Sequence, residues 1–387
     1  MTREFKPRLL FVVTEDWYFL SHRLPIAAGA RRAGYEVWVA TRINKAEDAE
    51  RIRAAGLHLV PINMQRSSLR LDHQVRAVLE LVRLYRRLRP HLVHHVAMQP
   101  VVYGTLAAHV TQVPAVVNAL AGLGYIFASQ NFRARFLRAV VRFTFKNLLR
   151  HKNSRIILQN PDDVRLFIEQ RLSAAEQLCL IRGSGVDINH FQPLPEPPGK
   201  PTVALVARML RDKGITELVE AARLLRQRGR DLRIILAGGI DRLNPNCLNE
   251  NEIRAWETEG LVEWWGEVAD IRTVWTQAHL GVLPSYREGL PKSLLEAAAC
   301  GRALVAADVP GCREIVRPHK NGLLAPAHDG VALAEAIQKL LDDATQRTAF
   351  GRRSREIVVN EFAEAQVIAA TLKLYETLLD ESTVRFS

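Results

Sequence analysis

Short apolar runs and longer periodic stretches alternate along this chain. RLLFVV (8–13), YEVWVAT (35–41), LHLVPI (57–62), HLVHHV (91–96), AVVNAL (115–120) and RIILQN (155–160) have the length and apolar continuity of buried strands. Between them, LPIAAGARRAG carries helix signals that stop at Gly34, and residues 71–88 repeat apolar positions at helical spacing. Strands of this kind separated by helices predict a parallel α/β sheet covered on both faces. A second series follows: TVALVAR (202–208), a helix from Ile215 to Arg228, LRIILAGG (232–239), LVEWWG (261–266), LGVLPS (280–285), ALVAAD (303–308) and NGLLAP (321–326). The last helices are expected at Val331–Leu341 and Glu364–Leu379. FQPLPEPPGKP, Phe191 to Pro201, holds five prolines and a glycine and reads as the linker between the series.

Composition adds little to the fold but something to the partner. With 387 residues, 48% hydrophobic and 24% charged, the chain has the size of two globular domains. Cys179, Cys247, Cys300 and Cys312 are widely spaced and form no CxxC pair, so neither a zinc site nor a disulfide framework is expected. The reading is a reduced, cytoplasmic protein. MTREFKPRLLFVV lacks a signal-peptide pattern, and no apolar stretch has transmembrane length. The net charge is +12, and it is unevenly placed. Residues 1–190 hold 28 Lys/Arg against 14 Asp/Glu, whereas residues 191–387 hold 25 against 27. Between Glu80 and Asp162 there are twelve Lys/Arg and no acid. A basic half of this kind points to a polyanionic partner: nucleic acid, anionic lipid or a phosphate-bearing substrate.

Two stretches carry chemistry. In LGVLPSYREGLPKSLLEAAACG, a strand runs into a loop and Pro291 stands near a helix start, where its missing N–H costs nothing. A helix N-terminus after a parallel strand attracts anions. Glu288 precedes that start and Glu296 lies two turns into the helix, so both acids border one region. Carboxylates there accept hydrogen bonds from sugar or ribose hydroxyls; read blandly, they are two surface glutamates. In VALVARMLRDKGI, Arg208 ends a strand and Lys213 opens the next helix. Two cations at a strand's carboxyl end suit a diphosphate, or else form a solvent-facing basic loop.

Together these residues resemble the retaining family-4 glycosyltransferases with the GT-B fold. Glu288 to Glu296 matches their E-x7-E motif, ARMLRDKG matches their diphosphate clamp, and DVPGCREIV and NGLLAP follow in the family's order. DWYFLSHRLPIA, HLVHHVAMQPVVYGTLAA and NALAGLGYIFAS are similar to the branch that builds capsule, O-antigen and lipid-linked oligosaccharides. That branch includes N-acetylgalactosaminyltransferases acting on undecaprenyl-diphosphate-linked bacillosamine. The resemblance implies an α/β GT-B fold: two Rossmann-like domains, 1–190 for the acceptor and 191–363 for the donor, facing each other across a cleft. The C-terminal helix, 364–380, is expected to pack back on the first domain.

The resemblance also implies roles. Arg208 and Lys213 would hold the diphosphate of a UDP-sugar, Glu288 the transferred sugar and Glu296 the ribose. Backbone N–H groups of Gly289, Leu290, Pro291 and Lys292 are assigned to the sugar and phosphate, although Pro291 has no such group to give. The base would lie near Trp265, Gly266, Glu267 and Val268. No metal and no cofactor beyond the nucleotide-sugar substrate are expected, and no DxD sequence occurs; Asp162-Asp163 and Asp342-Asp343 read as helix-start or surface acids. On the acceptor side, a polyprenyl-diphosphate-linked saccharide calls for cations, which points to His22 and Arg23. His94 and His95 lie where many relatives carry H-x-H, a pattern this chain departs from; strand alternation sends them to opposite faces. Gly122 and Gly124 suggest a tight loop by the acceptor. NFRARFLRAVVRFTFKNLLRHK (131–152) holds seven Lys/Arg and no acid among many apolar residues, and reads as a helix lying on an anionic membrane surface, placing the protein peripherally on the inner face of the cell membrane. Competing readings are transfer to a soluble acceptor, a nucleotide-sugar epimerase, and a non-enzymatic basic protein binding nucleic acid or membrane. Nucleic acid is disfavoured because no recognisable module is present.

Overall fold

A computed structural model describes residues 6–64, 71–120, 145 and 153–383. Contacts divide the chain into two compact units, 1–184 with 365–387, and 185–364. The division thus falls at Ser184/Gly185, before His190. Phe191–Pro201 is not a free linker but is docked on the second unit. Proline supplies a carbonyl and no N–H, so this stretch needs donors, and arginines provide them. Arg355 donates to the carbonyls of Phe191 (2.6 Å) and Ile188 (2.9 Å), and Arg302 to that of Pro195 (2.8 Å). Arg347 grips Glu196 through two nitrogens at 2.8 and 2.9 Å.

The first unit holds seven parallel strands: β1 (Arg8–Glu15), β2 (Glu36–Arg42), β3 (His58–Pro61), β4 (Leu92–Val96), β5 (Ala115–Ala119), β6 (Ser154–Leu158) and β7 (Leu178–Leu180). Their order is β3-β2-β1-β4-β5-β6-β7. Alternation along β1 builds two cores. Leu9, Phe11 and Val13 pack with the helices Leu24–Arg32 and Glu364–Thr383. Leu10 and Val12 pack with the helices Leu71–Leu88 and Met98–Thr111. The three-residue β7 and the helix Asp16–His22 were not foreseen, being too short for a clear period.

The second unit is a six-stranded parallel sheet: β8 (Thr202–Val206), β9 (Arg233–Ala237), β10 (Glu263–Gly266), β11 (Leu280–Leu283), β12 (Ala303–Ala307) and β13 (Gly322–Ala325). The order β10-β9-β8-β11-β12-β13 reverses direction between β8 and β11, which is where open α/β sheets bind ligands. Val203 and Leu205 face the helices Ile215–Gln227 and Gly330–Asp342, while Ala204 and Leu304 face the helices Lys292–Ala299 and Ala344–Glu361. Among the described residues no helix is long and apolar enough to cross a membrane. Gly122, Gly124 and the 131–152 stretch lie outside the described residues, apart from Phe145, which is buried.

The helix Met98–Thr111 crosses β4 at Gly104, where an added Cβ would lie 2.3 Å from His95 Nε2. That ring is pinned on both sides, so it has nowhere to move. Gly104→Ala is expected to cost about 1–3 kcal/mol of overpacking, read as a lower urea midpoint. An unchanged midpoint would show that the helix and sheet are less tightly joined than these distances imply.

Candidate active site

The donor-side candidates gather at the carboxyl edge of the second sheet. Arg208 leaves β8 and forms an ion pair with Asp241, just beyond β9. Lys213 Nζ meets Glu288 Oε1 at 2.6 Å, joining the loop after β8 to the loop after β11. Both side chains of this second pair are largely shielded from solvent. The loops touch elsewhere too: Tyr286 N–H donates to the Asp212 carbonyl at 3.0 Å. Gly214 adopts φ +70°, and a Cβ there would lie 2.0 Å from the Pro284 oxygen. Only glycine meets both conditions at that position.

Pro291 is the N-cap of the helix Lys292–Ala299, and Leu290 is buried against the core. Gly289 and Glu288 are backed by Gly311, whose N–H donates to the Glu288 carbonyl at 3.2 Å. A Cβ on Gly311 would lie 2.3 Å from the Gly289 oxygen. Glu296 is buried on this helix, with Lys292 Nζ 3.9 Å away. Burial raises its carboxyl from an ordinary 4.5 to about 7, and the Lys292 charge only partly opposes this.

The residues expected beside a base stand at the end of β10, the neighbouring edge strand. Gly266 takes φ +66° and its carbonyl accepts from Gly238 N–H at 2.7 Å. Trp264 Nε1 donates to the Gly238 carbonyl at 3.0 Å. Trp265 is partly exposed, Glu267 approaches Gly239, and Val268 packs on the core. Gly238 in turn abuts the backbone of Ala207 and Arg208. The ends of β8, β9 and β10 are therefore contiguous.

The first unit departs from expectation at three places. His22, expected in the loop after β1 or at the following helix start, instead ends the helix Asp16–His22, while Arg23 does stand at a helix start, as N-cap of Leu24–Arg32. Its ring stacks on Tyr18 with centroids 4.2 Å apart, and Nδ1 lies 2.6 Å from Ser21 Oγ. Arg23 follows between two helices and is buried, 2% exposed. It donates to the His22 carbonyl at 3.2 Å, while its Nε has no hydrogen-bond partner and no carboxylate of the described residues pairs with it. His94 and His95, expected to include an accessible acceptor ligand, are both buried. His95 spends both ring nitrogens on Tyr85 and Asn118, each at 2.8 Å, and burial lowers its pKa to about 4. It belongs to the core. His94 lies on the other face, with Nδ1 2.5 Å from the Tyr375 hydroxyl and Nε2 without a partner.

Sequence reasoning passed over Asp241 and Tyr286. Asp241 follows the strand LRIILAGG by two residues, the acid-at-a-strand-end signal that drew attention to Glu288. The Tyr286 hydroxyl donates to Glu217 at 2.7 Å and its ring lies against His328, centroids 3.7 Å apart. Those partners are distant in sequence and share no motif.

Residues 8–160 match the family model described as Glycosyl transferase 4-like, and residues 186–357 the one described as Glycosyl transferases group 1. The chain is similar to the N,N'-diacetylbacillosaminyl-diphospho-undecaprenol alpha-1,3-N-acetylgalactosaminyltransferase of Campylobacter jejuni, 27% identical over 93% of this chain and 98% of that one. It is also similar to the capsular polysaccharide biosynthesis glycosyltransferase CapM of Staphylococcus aureus, 23% identical over 84% and 86%. Sucrose-phosphate synthase of Thermosynechococcus elongatus superposes with a TM-score of 0.79 at 20% identity, covering 97% of this chain and 100% of that one. Anabaena HepE, solved with UDP and glucose, gives 0.77 at 19%, covering 96% and 100%. The sheet orders and these likenesses converge: the first half of the chain matches the glycosyl transferase 4-like family and the second the glycosyl transferases group 1, and the chain is a hexosyltransferase-type glycosyltransferase of the GT-B fold.

Proposed function

We propose that this enzyme moves a sugar, an N-acetylhexosamine or a close relative, from a UDP-sugar to a polyprenyl-diphosphate-linked saccharide with retention of configuration. The observation that carries the reading is the Lys213–Glu288 pair beside Arg208 at the switch point. Both cations are held by carboxylates, so a diphosphate that takes them replaces Asp241 and Glu288 as their counter-ion. As Lys213 and Arg208 turn to the phosphates, Glu288 is released to accept from a hydroxyl of the transferred sugar. Glu296 accepts from the ribose hydroxyls. Gly289, Leu290 and Lys292 offer backbone N–H groups at the helix start, and Trp265 to Val268 border the base.

The acceptor oxygen attacks the anomeric carbon from the face that the nucleoside diphosphate leaves. The bond from that carbon to the diphosphate oxygen breaks, and the acceptor's proton passes to the departing phosphate. Arg208 and Lys213 stabilise the charge that gathers there. Support for a lipid-linked acceptor comes from the Campylobacter relative, whose name specifies one, and from the buried Arg23 in the first unit, which has no carboxylate partner among the described residues.

Nucleotide release from a panel of UDP- and GDP-sugars in EDTA, with and without polyprenyl-diphosphate saccharides, tests this. Release from a UDP-sugar that depends on the lipid is expected, with the new anomeric centre configured as in the donor by NMR coupling. Inverted product, or release driven equally by a free saccharide, would overturn the corresponding part. Lys213→Ala should lower kcat by roughly 100-fold to 1,000-fold; full activity would remove Lys213 from the mechanism.

Glu296 gives a second test. Because its native pKa of about 7 exceeds the ordinary 4.5, the folded protein keeps a proton that the unfolded chain releases between those values. Stability from this group therefore falls as pH rises through that window and is level above about 7. Glu296→Gln should match the parent's thermal midpoint near pH 4, below the ordinary 4.5, and exceed it at pH 8, while UDP binding at pH 8 weakens about tenfold through loss of charge-assisted hydrogen bonds. Equal midpoints at pH 8 would refute the buried carboxylate; unchanged UDP affinity would refute its ribose contact.

A further inference from the structure

The acid-free run between Glu80 and Asp162 covers more than the 131–152 stretch, and its described part has a distinctive surface. On the helix Leu71–Leu88, the residues Ala77, Leu81, Val82, Leu84, Tyr85 and Leu88 are buried toward the sheet. The outward stripe carries Arg76, Arg83, Arg86 and Arg87, and Arg89 follows the helix end, all exposed. Within that stripe Val75 is 56% exposed and Leu79 45%. The neighbouring helix Met98–Thr111, which shares the same core, adds Leu106 at 37% and Val110 at 50% and has no acid. Among the described residues no carboxylate pairs with any of these five arginines. The two acids of the first helix are engaged elsewhere: Asp72 lies 3.6 Å from His73, and Glu80 accepts from Asn63 N–H at 3.1 Å.

We propose that the outer face of the helices Leu71–Leu88 and Met98–Thr111 is a docking surface for an anionic lipid bilayer. Unpaired arginines beside exposed aliphatic side chains suit a headgroup boundary, where the charge meets lipid phosphates and the apolar groups enter the acyl margin. Water satisfies the first requirement but not the second. A nucleic acid satisfies the charge but leaves four aliphatic side chains against a polar backbone. The opposite face of the same sheet is built differently: the helix Leu24–Arg32 and the C-terminal helix cover it, and its exposed cations Arg31 and Arg32 have no exposed large aliphatic residue among their own helix's positions. The surface goes beyond the transfer reaction, because it needs neither donor nor saccharide.

Co-sedimentation of the full chain with vesicles of phosphatidylglycerol and phosphatidylcholine, free of any saccharide, is the test. Arg83→Gln/Arg86→Gln/Arg87→Gln should weaken partitioning on the order of 100-fold, from about a factor of five per arginine. Val75→Ser/Leu79→Ser should weaken it roughly tenfold through lost apolar insertion. Arg31→Gln/Arg32→Gln, on the other face, should leave it within a factor of about two. Thermal midpoints and UDP binding of all three variants are expected to equal the parent's, so a loss of partitioning reports the surface and not the fold. Unchanged partitioning of the triple variant overturns the proposal. So does equal loss in the Arg31/Arg32 variant, which would reveal net charge alone, or equal binding to pure phosphatidylcholine. Loss of binding to an RNA oligonucleotide with no change on vesicles would assign the surface to nucleic acid instead. None of these results touches sugar transfer, which is read separately by nucleotide release.

Discussion

The donor side of this enzyme depends on how closely one helix can sit on its sheet. Gly281 in β11 lies beneath the helix Lys292–Ala299, and a Cβ there would be 2.7 Å from that of Ala297. The missing side chain lets the helix settle, and settling takes Glu296 out of water. Two further glycines extend the same constraint to the loops. Gly214 admits the Pro284 carbonyl, and Gly311 admits the Gly289 carbonyl. The chain segments after β8, β11 and β12 are thereby drawn together at backbone distance, and the side chains they carry meet without further adjustment. Lys213 and Glu288 are 75 positions apart in sequence, and their contact follows from these backbone approaches.

Charge is handled differently in the two units. In the second, each cation of the candidate clamp has a carboxylate partner. The cost falls instead on Glu296, whose ionisation burial opposes. In the first unit Arg23 is buried with no carboxylate partner among the described residues, although a lone buried charge is among the most expensive features a protein can hold. Both arrangements sacrifice stability at the carboxyl ends of strands, and both suit an anionic substrate.

Much of this was legible in the chain. The strands follow from unbroken apolar runs, and the helix Leu71–Leu88 falls where its period places it, because burial on two faces or on one stripe writes itself into sequence. Arg208, Lys213 and Glu288 could be singled out because each lies next to a strand end or helix start, and Glu296 by its spacing from Glu288. What was not legible depends on partners far away. Phe191–Pro201 has a linker's composition, yet Arg302, Arg347 and Arg355 bind it from 100 or more positions downstream. Asp241 belongs to the site only through Arg208. Pattern reading measures local periodicity, and it is blind to a hydrogen bond whose two ends share no motif.

The two adjacent histidines show how one step of strand alternation decides between structure and chemistry. His95 turns to the core beneath the helix Met98–Thr111, where Tyr85 and Asn118 satisfy both ring nitrogens. His94 turns to the opposite face, where the C-terminal helix brings Tyr375 to Nδ1 at 2.5 Å. Burial, reinforced by the Arg23 charge, holds the His94 ring far below its usual pKa, so it is neutral, and burial keeps the Tyr375 hydroxyl protonated. When the tyrosine donates to Nδ1, the ring's single proton sits on Nε2, which has no partner among the described residues. Arg23 Nε is likewise a donor without an acceptor. Two buried donors under one another's electrostatic influence, with no carboxylate supplied to either by the described residues, favour a ligand that brings oxygen and negative charge. The last helix of the chain, returning to the first unit, thus sets the polarity of the His94 ring through Tyr375.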